Sequence, residues 1–331
     1  MSAPAPLTIV VIADPLPTLN AAHDSTVALI EEAQCRGHQV LATTIGDLRI
    51  RTNRTWARCR PITVDPARLI GDRWHAAANW WHPEPAVDVL LDDVDIVMMR
   101  TDPPVDRTYL RATYLLDQID TSRVLMVNSP TGLRETNEKL FTLRFADVIP
   151  DTVVSADLAE IEAAARGWGR AVLKPTDAMA GRGIMVLQPD DPNLHSIVET
   201  ATDRGRTHVI VQRYLDAAAH GDRRVIVVDG EPLGAVRRIA TAGEFRCNMA
   251  TGASVVADTI TTLDKEICEV IAPELARLGI VLAGIDVIGD RMTEVNVTSP
   301  TGLREIDALS GSRLPRLIME RFEQRIARLA R

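Results

Sequence analysis

The chain has 331 residues and a net charge of −8, with 46% hydrophobic and 25% charged residues. This length predicts two or three subdomains, and the acidic balance argues against a nucleic-acid or membrane binder. The four cysteines show no paired spacing, so neither a zinc site nor a disulfide framework is indicated. The first apolar run, residues 7–13, is too short to span a membrane and lacks a signal peptide's layout, so a cytoplasmic protein is expected.

The N-terminal third predicts a small parallel sheet with intervening helices. The turn after the first strand has prolines where a dinucleotide fold needs G-x-G-x-x-G, which counts against an NAD enzyme. Strands are expected at residues 7–13, 39–44, 95–100 and 124–128, and a helix at about 25–36.

Residues 53–86 carry four of the five tryptophans among Arg, His and Pro. An aromatic and basic cluster of this kind is one way to bind nucleic acid. The acidic balance of the chain favours the other interpretation, a packed irregular excursion.

The carboxyl ends of parallel strands form the usual ligand-binding edge of such a sheet. Asp24 and Ser25 follow the first strand, and Arg100 ends the third apolar strand. An arginine there can bind a carboxylate through two parallel hydrogen bonds. The alternative is a helix-capping pair with a surface arginine.

Near Asn128 the composition changes to SPTGLRETNEKLF, which predicts a domain junction. A small-residue loop, KPTDAMAGRG, follows and begins with Lys174, and Lys139 opens the same segment. Backbone N–H groups of such a loop can bind phosphates, with the lysines as point charges, although a solvated lysine is the commoner case. A β-α-β-β unit is predicted from strands at 151–155, 170–174 and 184–188 and a helix at 158–167.

The next segment predicts a strand at 208–214 and a hairpin with its turn at Asp229-Gly230. Asp222 and Arg224 lie two apart on this hairpin and therefore share a face, which could also be a solvated face. Residues 240–257 lack periodicity and predict a loop of a length typical of a lid. Helices are expected at 262–278 and 313–331.

The stretch LAGIDVIGDRMTEVNVTSPTGLRE predicts a second hairpin. Glu294 and Asn296 share a face of its second strand. A two-residue turn would pair Glu294 with Ile285, whereas a three-residue turn over 289–291 sets Asp286 opposite Glu294. Converging carboxylates without a nearby cation suit Mg²⁺. We therefore predict a turn over 289–291, with Asp286, Glu294 and Asn296 pointing into one cleft; the alternative is a polar hairpin face.

Six stretches of the chain resemble the bacterial glutathione synthetases, a family of ATP-grasp ligases. They are ADPLPTLNAAHDST, MRTDPPVD, NSPTGLRETNEKLF, VLKPTDAMAGRGI, RYLDAAAHGDRRVIVVDGEP and GIDVIGDRMTEVNVTSPTGLREI. The resemblance covers nearly the whole chain.

The resemblance implies an ATP-grasp fold of the α/β class with α+β subdomains. It would comprise an N-terminal parallel-sheet substrate domain (1–128), a central lid (129–211) and a C-terminal catalytic sheet (212–331). The implied enzyme joins γ-glutamylcysteine and glycine through an acyl phosphate and releases ADP and phosphate. Its cofactors would be ATP and Mg²⁺, with Mn²⁺ as a substitute, and it would be a homo-oligomer with small-molecule substrates only.

The same resemblance implies roles for individual residues. Arg246 and Asn248 would be catalytic, because arginine can stabilise the acyl phosphate. Asp286, Glu294 and Asn296 would bind the metal. The nucleotide contacts would be Lys139, Lys174, Met179, Gly181, Gln212, Arg213, Tyr214, Leu215, Asp222 and Arg224. The substrate contacts would be Asp24, Ser25, Arg100, Ser299 and Thr301.

The chain departs from the family pattern at Thr101, Ala178, Ala180 and Cys247, where Lys, Gly, Gly and Gly are usual. These departures keep open a diverged ligase with another acid or amine, and more remotely a non-catalytic nucleotide-binding protein. Cys247 is expected to be exposed in an open loop, with its thiol pKa lowered by Arg246. The alternative is a buried, inert cysteine.

Overall fold

The computed structural model describes residues 5–179, 181–241, 244, 246–247 and 252–329. The predicted catalytic residue Asn248 and the departure at Ala180 lie outside these ranges. Within the described ranges, no helix has both the length and the apolar character needed to cross a membrane.

The N-terminal part of the chain forms a mixed sheet with helices packed against it. In chain order its elements are β1 (Thr8–Ile12), α1 (Ser25–Cys35), β2 (Gln39–Thr43), β3 (Leu48–Arg51), β4 (Arg54–Val64), β5 (Arg68–Ile70), β6 (Arg73–His75), β7 (Trp81–Pro83), β8 (Val87–Leu90), β9 (Ile96–Met99), α2 (Arg107–Leu116), β10 (Leu125–Val127) and α3 (Pro130–Glu135). Strands β10, β9, β1 and β2 are adjacent and parallel, as predicted. Every residue of β9 is buried, which is typical of a parallel strand covered on both faces.

Residues 53–86 form antiparallel strands, so the predicted irregular excursion is wrong. Strand β4 pairs with β2, β3, β7 and β8 and extends the sheet beyond its parallel part. Its buried residues alternate with exposed ones, since Thr55, Ala57 and Cys59 point inward and Arg58 and Arg60 point outward. The inward positions hold Thr, Ala and Cys instead of large apolar side chains, so the two-residue hydrophobic period is weak in the sequence.

The middle of the chain forms a smaller antiparallel sheet with its own core. Its elements are β11 (Thr152–Ser155), α4 (Leu158–Trp168), β12 (Ala171–Pro175), β13 (Met185–Leu187), α5 (Leu194–Ala201) and β14 (Val209–Arg213). The strand order is β11-β14-β12-β13. Ile161, Leu173, Val198 and Val211 are fully buried in this core. The predicted β-α-β-β unit is confirmed.

The C-terminal part of the chain forms an antiparallel five-stranded sheet. Its elements are β15 (Asp222–Val228), β16 (Glu231–Ile239), β17 (Ser254–Ala257), α6 (Thr262–Leu278), β18 (Leu282–Ile288), β19 (Arg291–Asn296), α7 (Leu303–Ser310) and α8 (Leu314–Leu329). The strand order is β17-β16-β15-β18-β19. Residues 240–257 were predicted as a loop throughout, but β17 pairs with β16 and fixes the end of this segment to the sheet.

Asn128 ties the end of β10 to the C-terminal sheet, at the junction expected from composition. Its Nδ2 donates to the carbonyl oxygens of Leu282 and Val297, both at 2.7 Å. Its Oδ1 accepts from the backbone nitrogens of Val281 at 2.7 Å and Leu282 at 2.9 Å. The residue is 2% exposed, so its full amide hydrogen-bonding capacity is used away from water.

Candidate active site

Asp286 and Glu294 lie opposite each other in the β18–β19 hairpin, as predicted, but the turn differs. The turn contains only residues 289–290, and such a turn alone would pair Glu294 with Ile285. A β-bulge at Thr293 adds one residue to β19 and brings Glu294 opposite Asp286. The predicted three-residue turn is therefore wrong, whereas the opposition of the two carboxylates is confirmed.

Asp286 is 3% exposed and is bound by two arginines. Its Oδ1 accepts from Arg224 Nε at 2.5 Å, and its Oδ2 lies 2.9 Å from Arg238 Nη2. Burial alone would raise the pKa of Asp286, but the two guanidinium groups outweigh burial and hold the pKa well below its ordinary value. Arg238 also donates to both carboxylate oxygens of Asp222, whose pKa is raised by burial. The premise that no cation lies near these carboxylates is therefore wrong.

Two lysines from separate segments approach Glu294. Lys139 Nζ lies 3.1 Å from Glu294 Oε1 and also donates to the carbonyl oxygen of Ala178. Lys174 Nζ donates to Gln212 Oε1 at 2.7 Å. Burial lowers the pKa of Lys174 to about 8, although the charge of Glu294 opposes this shift. The charged form of Lys174 is therefore less favoured than that of an exposed lysine.

These side chains line a cleft between the middle and C-terminal sheets. Its apolar wall contains Val172, Ile184, Leu215 and Ile288. An apolar wall with a small number of charged groups is typical of a small-molecule binding site. The predicted residues that line it are Lys139, Lys174, Gly181, Gln212, Arg213, Tyr214, Leu215, Asp222, Arg246, Asp286 and Glu294.

Among the described residues predicted to contact the nucleotide or the metal, three do not line this cleft. Arg224 binds Asp286, Met179 lies in the small-residue loop, and Asn296 donates from Nδ2 to the Gly284 carbonyl oxygen at 3.3 Å. Asn296 still lies two residues from Glu294 and on the same face of β19. The described part of the chain holds no cluster of three His, Cys, Asp or Glu side chains arranged for a metal.

The sequence interpretation missed several cleft residues. Arg182 and Thr293 both line the cleft. Arg182 belongs to the small-residue loop, so its basic charge there was a usable signal. Thr293 enters the cleft wall where the bulge lies, and no sequence pattern marks that bulge.

The other predicted substrate residues meet at the edge of the N-terminal sheet. Asp24 caps α1 by accepting from Val27 N at 2.9 Å, so the capping alternative is confirmed for this residue. Ser25 Oγ instead accepts from the backbone nitrogens of Gly302 at 3.1 Å and Leu303 at 3.2 Å.

Arg100 is 3% exposed, so the alternative of a surface arginine is wrong. Its Nη2 donates to the Pro300 carbonyl oxygen at 3.0 Å. The Thr301 carbonyl oxygen accepts from Arg224 Nη1 at 3.3 Å, and the Ser299 hydroxyl faces the carboxylate of Asp102. The segment after β19 therefore connects this edge with the cleft.

Arg246 and Cys247 both line the cleft. Arg246 Nη2 lies 2.5 Å from Glu244 Oε2, and its Nη1 donates to the Gly181 carbonyl oxygen at 3.2 Å. Cys247 is 6% exposed, and burial raises the pKa of its thiol. The expected lowered pKa of this thiol is therefore wrong, because desolvation disfavours the thiolate more than nearby cations favour it. The buried thiol agrees with the alternative of a buried cysteine, and exposure in an open loop without substrates stays a prediction.

Comparison with protein families gives two matches that together span most of the chain. Residues 7–134 match the prokaryotic glutathione synthetase N-terminal domain, and residues 138–311 match the prokaryotic glutathione synthetase ATP-grasp domain. A glutathione synthetase of Synechococcus elongatus is 49% identical over 90% of this chain and 92% of its own length. A glutathione synthetase of Escherichia coli O127:H6 is 37% identical over 96% of this chain and 98% of its own length.

Solved structures with the same fold are more distant in sequence. D-cycloserine synthetase DcsG aligns with a TM-score of 0.62 and 16% identity, over 95% of this chain and 99% of its own. The ATP-grasp ligase PsnB, in complex with the precursor peptide PsnA2 and AMPPNP, aligns with a TM-score of 0.61 and 16% identity over 98% of both chains. The ATP-grasp fold expected from the sequence is confirmed.

Proposed function

We propose roles for individual residues in a chain that belongs to the prokaryotic glutathione synthetase family. It is an ATP-grasp ligase that forms glutathione with cleavage of ATP. The observation that carries the assignment of roles is the convergence of Lys139, Lys174 and Glu294 in one cleft with an apolar wall. In this proposal residues 1–128 bind substrate, residues 129–211 form the lid and residues 212–331 supply the catalytic sheet.

The apolar wall would hold the adenine ring, beside the hinge residues 212–215. Lys139 and Lys174 would neutralise the phosphates from the lid. On nucleotide binding, Lys139 would exchange its ion pair with Glu294 for phosphate oxygens, which frees the Glu294 carboxylate. Gly181 and Arg182, at the end of the small-residue loop, would close over the phosphates.

The carboxylate oxygens of Asp286 and Glu294 and the amide oxygen of Asn296 fit a hard cation, because Glu294 faces the cleft and Asp286 lies directly opposite it. One or two Mg²⁺ ions, or Mn²⁺, held there would supply positive charge to the β- and γ-phosphates. Arg224 and Arg238 keep Asp286 ionised, and its fixed position supports Glu294 across the hairpin.

The reaction would proceed in two balanced steps. A carboxylate oxygen of the γ-glutamylcysteine attacks the γ-phosphorus of ATP, and the bond to ADP breaks. The amine of glycine, after losing a proton, then attacks the acyl carbon, and phosphate leaves with the bonding electrons. Arg246 would bind the acyl phosphate, and closure of the segment between β16 and β17 would exclude water.

Product analysis tests this proposal. Purified protein with ATP, Mg²⁺, γ-glutamylcysteine and glycine should form ADP, phosphate and glutathione in equal amounts, and Glu294→Gln should form none. A panel of other acids and amines measures the specificity. Faster ligation of a different pair would contradict the assigned substrates. Light scattering of the same sample tests the expected homo-oligomer.

A further inference from the structure

Glu138 binds the end of β19, and the proposed reaction uses it in no step. Its Oε1 accepts from the backbone nitrogens of Val297 at 2.9 Å and Thr298 at 3.1 Å, and from Thr298 Oγ1 at 2.9 Å. Its carbonyl oxygen accepts from Val295 N at 2.9 Å. Because β19 is the last strand of its sheet, Glu138 binds the open edge of this strand and the chain directly beyond it.

Water cannot readily take the place of the Glu138 carboxylate. Thr298 is 2% exposed, so its hydroxyl and its backbone N–H lie away from solvent. Buried donors that lose their acceptor are costly, and hydrogen bonds to a charged acceptor are stronger than those to a neutral one. The segment that carries Glu138 and the end of β19 are therefore expected to move together.

The residues on either side of Glu138 bind the small-residue loop. Asn137 Nδ2 donates to the Thr176 carbonyl oxygen at 2.9 Å. Lys139 Nζ donates to the Ala178 carbonyl oxygen and lies 3.1 Å from a carboxylate oxygen of Glu294. A nucleotide whose phosphates recruit this lysine therefore acts on the same three-residue segment that holds the end of β19.

The chain beyond Thr298 runs directly to the edge of the N-terminal sheet. The Ser299 hydroxyl faces the carboxylate of Asp102, and the Pro300 carbonyl oxygen accepts from Arg100 Nη2 at 3.0 Å. One short length of chain thus connects the contacts of the Glu138 carboxylate with the edge where the acid substrate is expected.

We propose that Glu138 is a positioning residue that couples the binding of the nucleotide to the binding of the acid substrate. Phosphates that hold Lys139 also immobilise residues 137–139, and the Glu138 carboxylate extends this order to Val297 and Thr298. The acid then binds a segment that has already lost conformational entropy, so each ligand raises the affinity for the other. Because the two ligands are the substrates assigned under the proposed function, this coupling rests on that function.

Isothermal titration calorimetry measures the coupling. The Kd of γ-glutamylcysteine is determined with and without saturating AMPPNP and Mg²⁺, in the absence of glycine, so that no ligation occurs. In the wild-type enzyme AMPPNP should lower this Kd by about fivefold or more. The acid should lower the Kd of AMPPNP by the same factor, since coupling between two binding sites is reciprocal.

Two variants test the part that the carboxylate plays. Glu138→Ala should reduce the coupling factor to less than about twofold. The Kd of each ligand measured alone should change much less, because the proposed contacts of both ligands are made by other residues. Thr298→Val removes one of the three hydrogen bonds and nearly preserves the shape of the side chain, so its coupling factor should be intermediate. This second variant keeps the test decisive if Glu138→Ala does not fold.

Asp307→Ala is the matched control. Asp307 Oδ1 also accepts from a backbone nitrogen and a hydroxyl group, those of Leu314 and Ser312, both at 2.8 Å. It joins α7 to the start of α8 and is not a cleft residue. The control should lose a similar number of hydrogen bonds and keep the wild-type coupling factor.

Different outcomes separate the two levels of the proposal. A coupling factor of one in the wild-type enzyme would overturn the coupling while leaving the ligase assignment intact. Retention of the wild-type factor in the folded variants of Glu138 and Thr298 would overturn the role of Glu138. An equal fall in Asp307→Ala would also overturn it, since a general loosening of the fold would then explain the loss. Failure of the wild-type enzyme to form glutathione from γ-glutamylcysteine and glycine would overturn the proposed function itself.

Discussion

The two opposed carboxylates of the β18–β19 hairpin should respond differently to the same chemical change. Replacing Asp286 by Asn removes a buried charge that Arg224 and Arg238 share. The two guanidinium groups then remain buried with only the Asp222 carboxylate between them. Replacing Glu294 by Gln removes a charge that pairs with one lysine at the cleft wall. Both variants should lose activity, but only the first should lose much stability.

The difference in stability follows from burial. Removing one partner of a buried ion pair destabilises by about 3–5 kcal/mol. An unfolding entropy of about 2.1 cal/mol/K per residue, over a chain of this length, gives roughly 0.7 kcal/mol/K. The melting temperature of Asp286→Asn should therefore fall by about 4–7 °C. The Glu294 side chain is 20% exposed, so removing its charge should lower the free energy of unfolding by at most about 1 kcal/mol. The melting temperature should then fall by roughly 1.5 °C.

Differential scanning calorimetry at pH 7 measures both shifts. At this pH Asp286 is ionised in both the folded and the unfolded chain, so the full contribution of its lowered pKa is present. Glutathione formation by the same samples gives the activity. Equal melting temperatures for the two variants would refute this reasoning. They would show that the Asp286 carboxylate is not needed to compensate the buried charges of Arg224 and Arg238.

Three further results are expected. Burial lowers the pKa of Lys174 from 10.5 to about 8, so kcat/KM for ATP should fall above pH 8, and Lys174→Arg should abolish this fall. The free energy of unfolding should rise between pH 8 and pH 10.5, because in that range the unfolded chain binds more protons than the folded chain. An alkylating reagent at pH 7 should modify exposed Cys35 well before buried Cys247, as read by peptide mass mapping; faster modification of Cys247 would contradict its burial. Asn128→Ala should lower the free energy of unfolding in urea by at least about 3 kcal/mol, because four buried hydrogen bonds are lost; a change below 1 kcal/mol would contradict this.

The sequence predicts the parts of the fold that depend on apolar periodicity. The parallel strands, the small antiparallel unit and helices α6 and α8 follow from runs of large apolar residues, whereas α7 was not predicted. Strand β4 escapes prediction because Thr55, Ala57 and Cys59 supply its inward face. The identity of most cleft residues comes from the family resemblance rather than from spacing.

The bulges in both C-terminal hairpins could not be predicted, for one physical reason. Each hairpin has a two-residue turn followed by an irregularity that shifts the pairing by one residue. In β15–β16 this shift sets Asp222 opposite Arg238, and in β18–β19 it sets Asp286 opposite Glu294. A bulge depends on packing across the sheet, so the cation beside Asp286 has no signature in the local sequence.

The contacts of Ser25 and Arg100 bear on how the protein is made. Ser25 binds the start of α7, 277 residues further along the chain, and Arg100 binds Pro300 across 200 residues. During synthesis the N-terminal sheet emerges from the ribosome long before these partners do. A nascent chain that ends before residue 300 has the aspartates and the arginine of this edge without their closing segment. This edge of the N-terminal sheet is thus completed only after the segment that follows β19 has been translated.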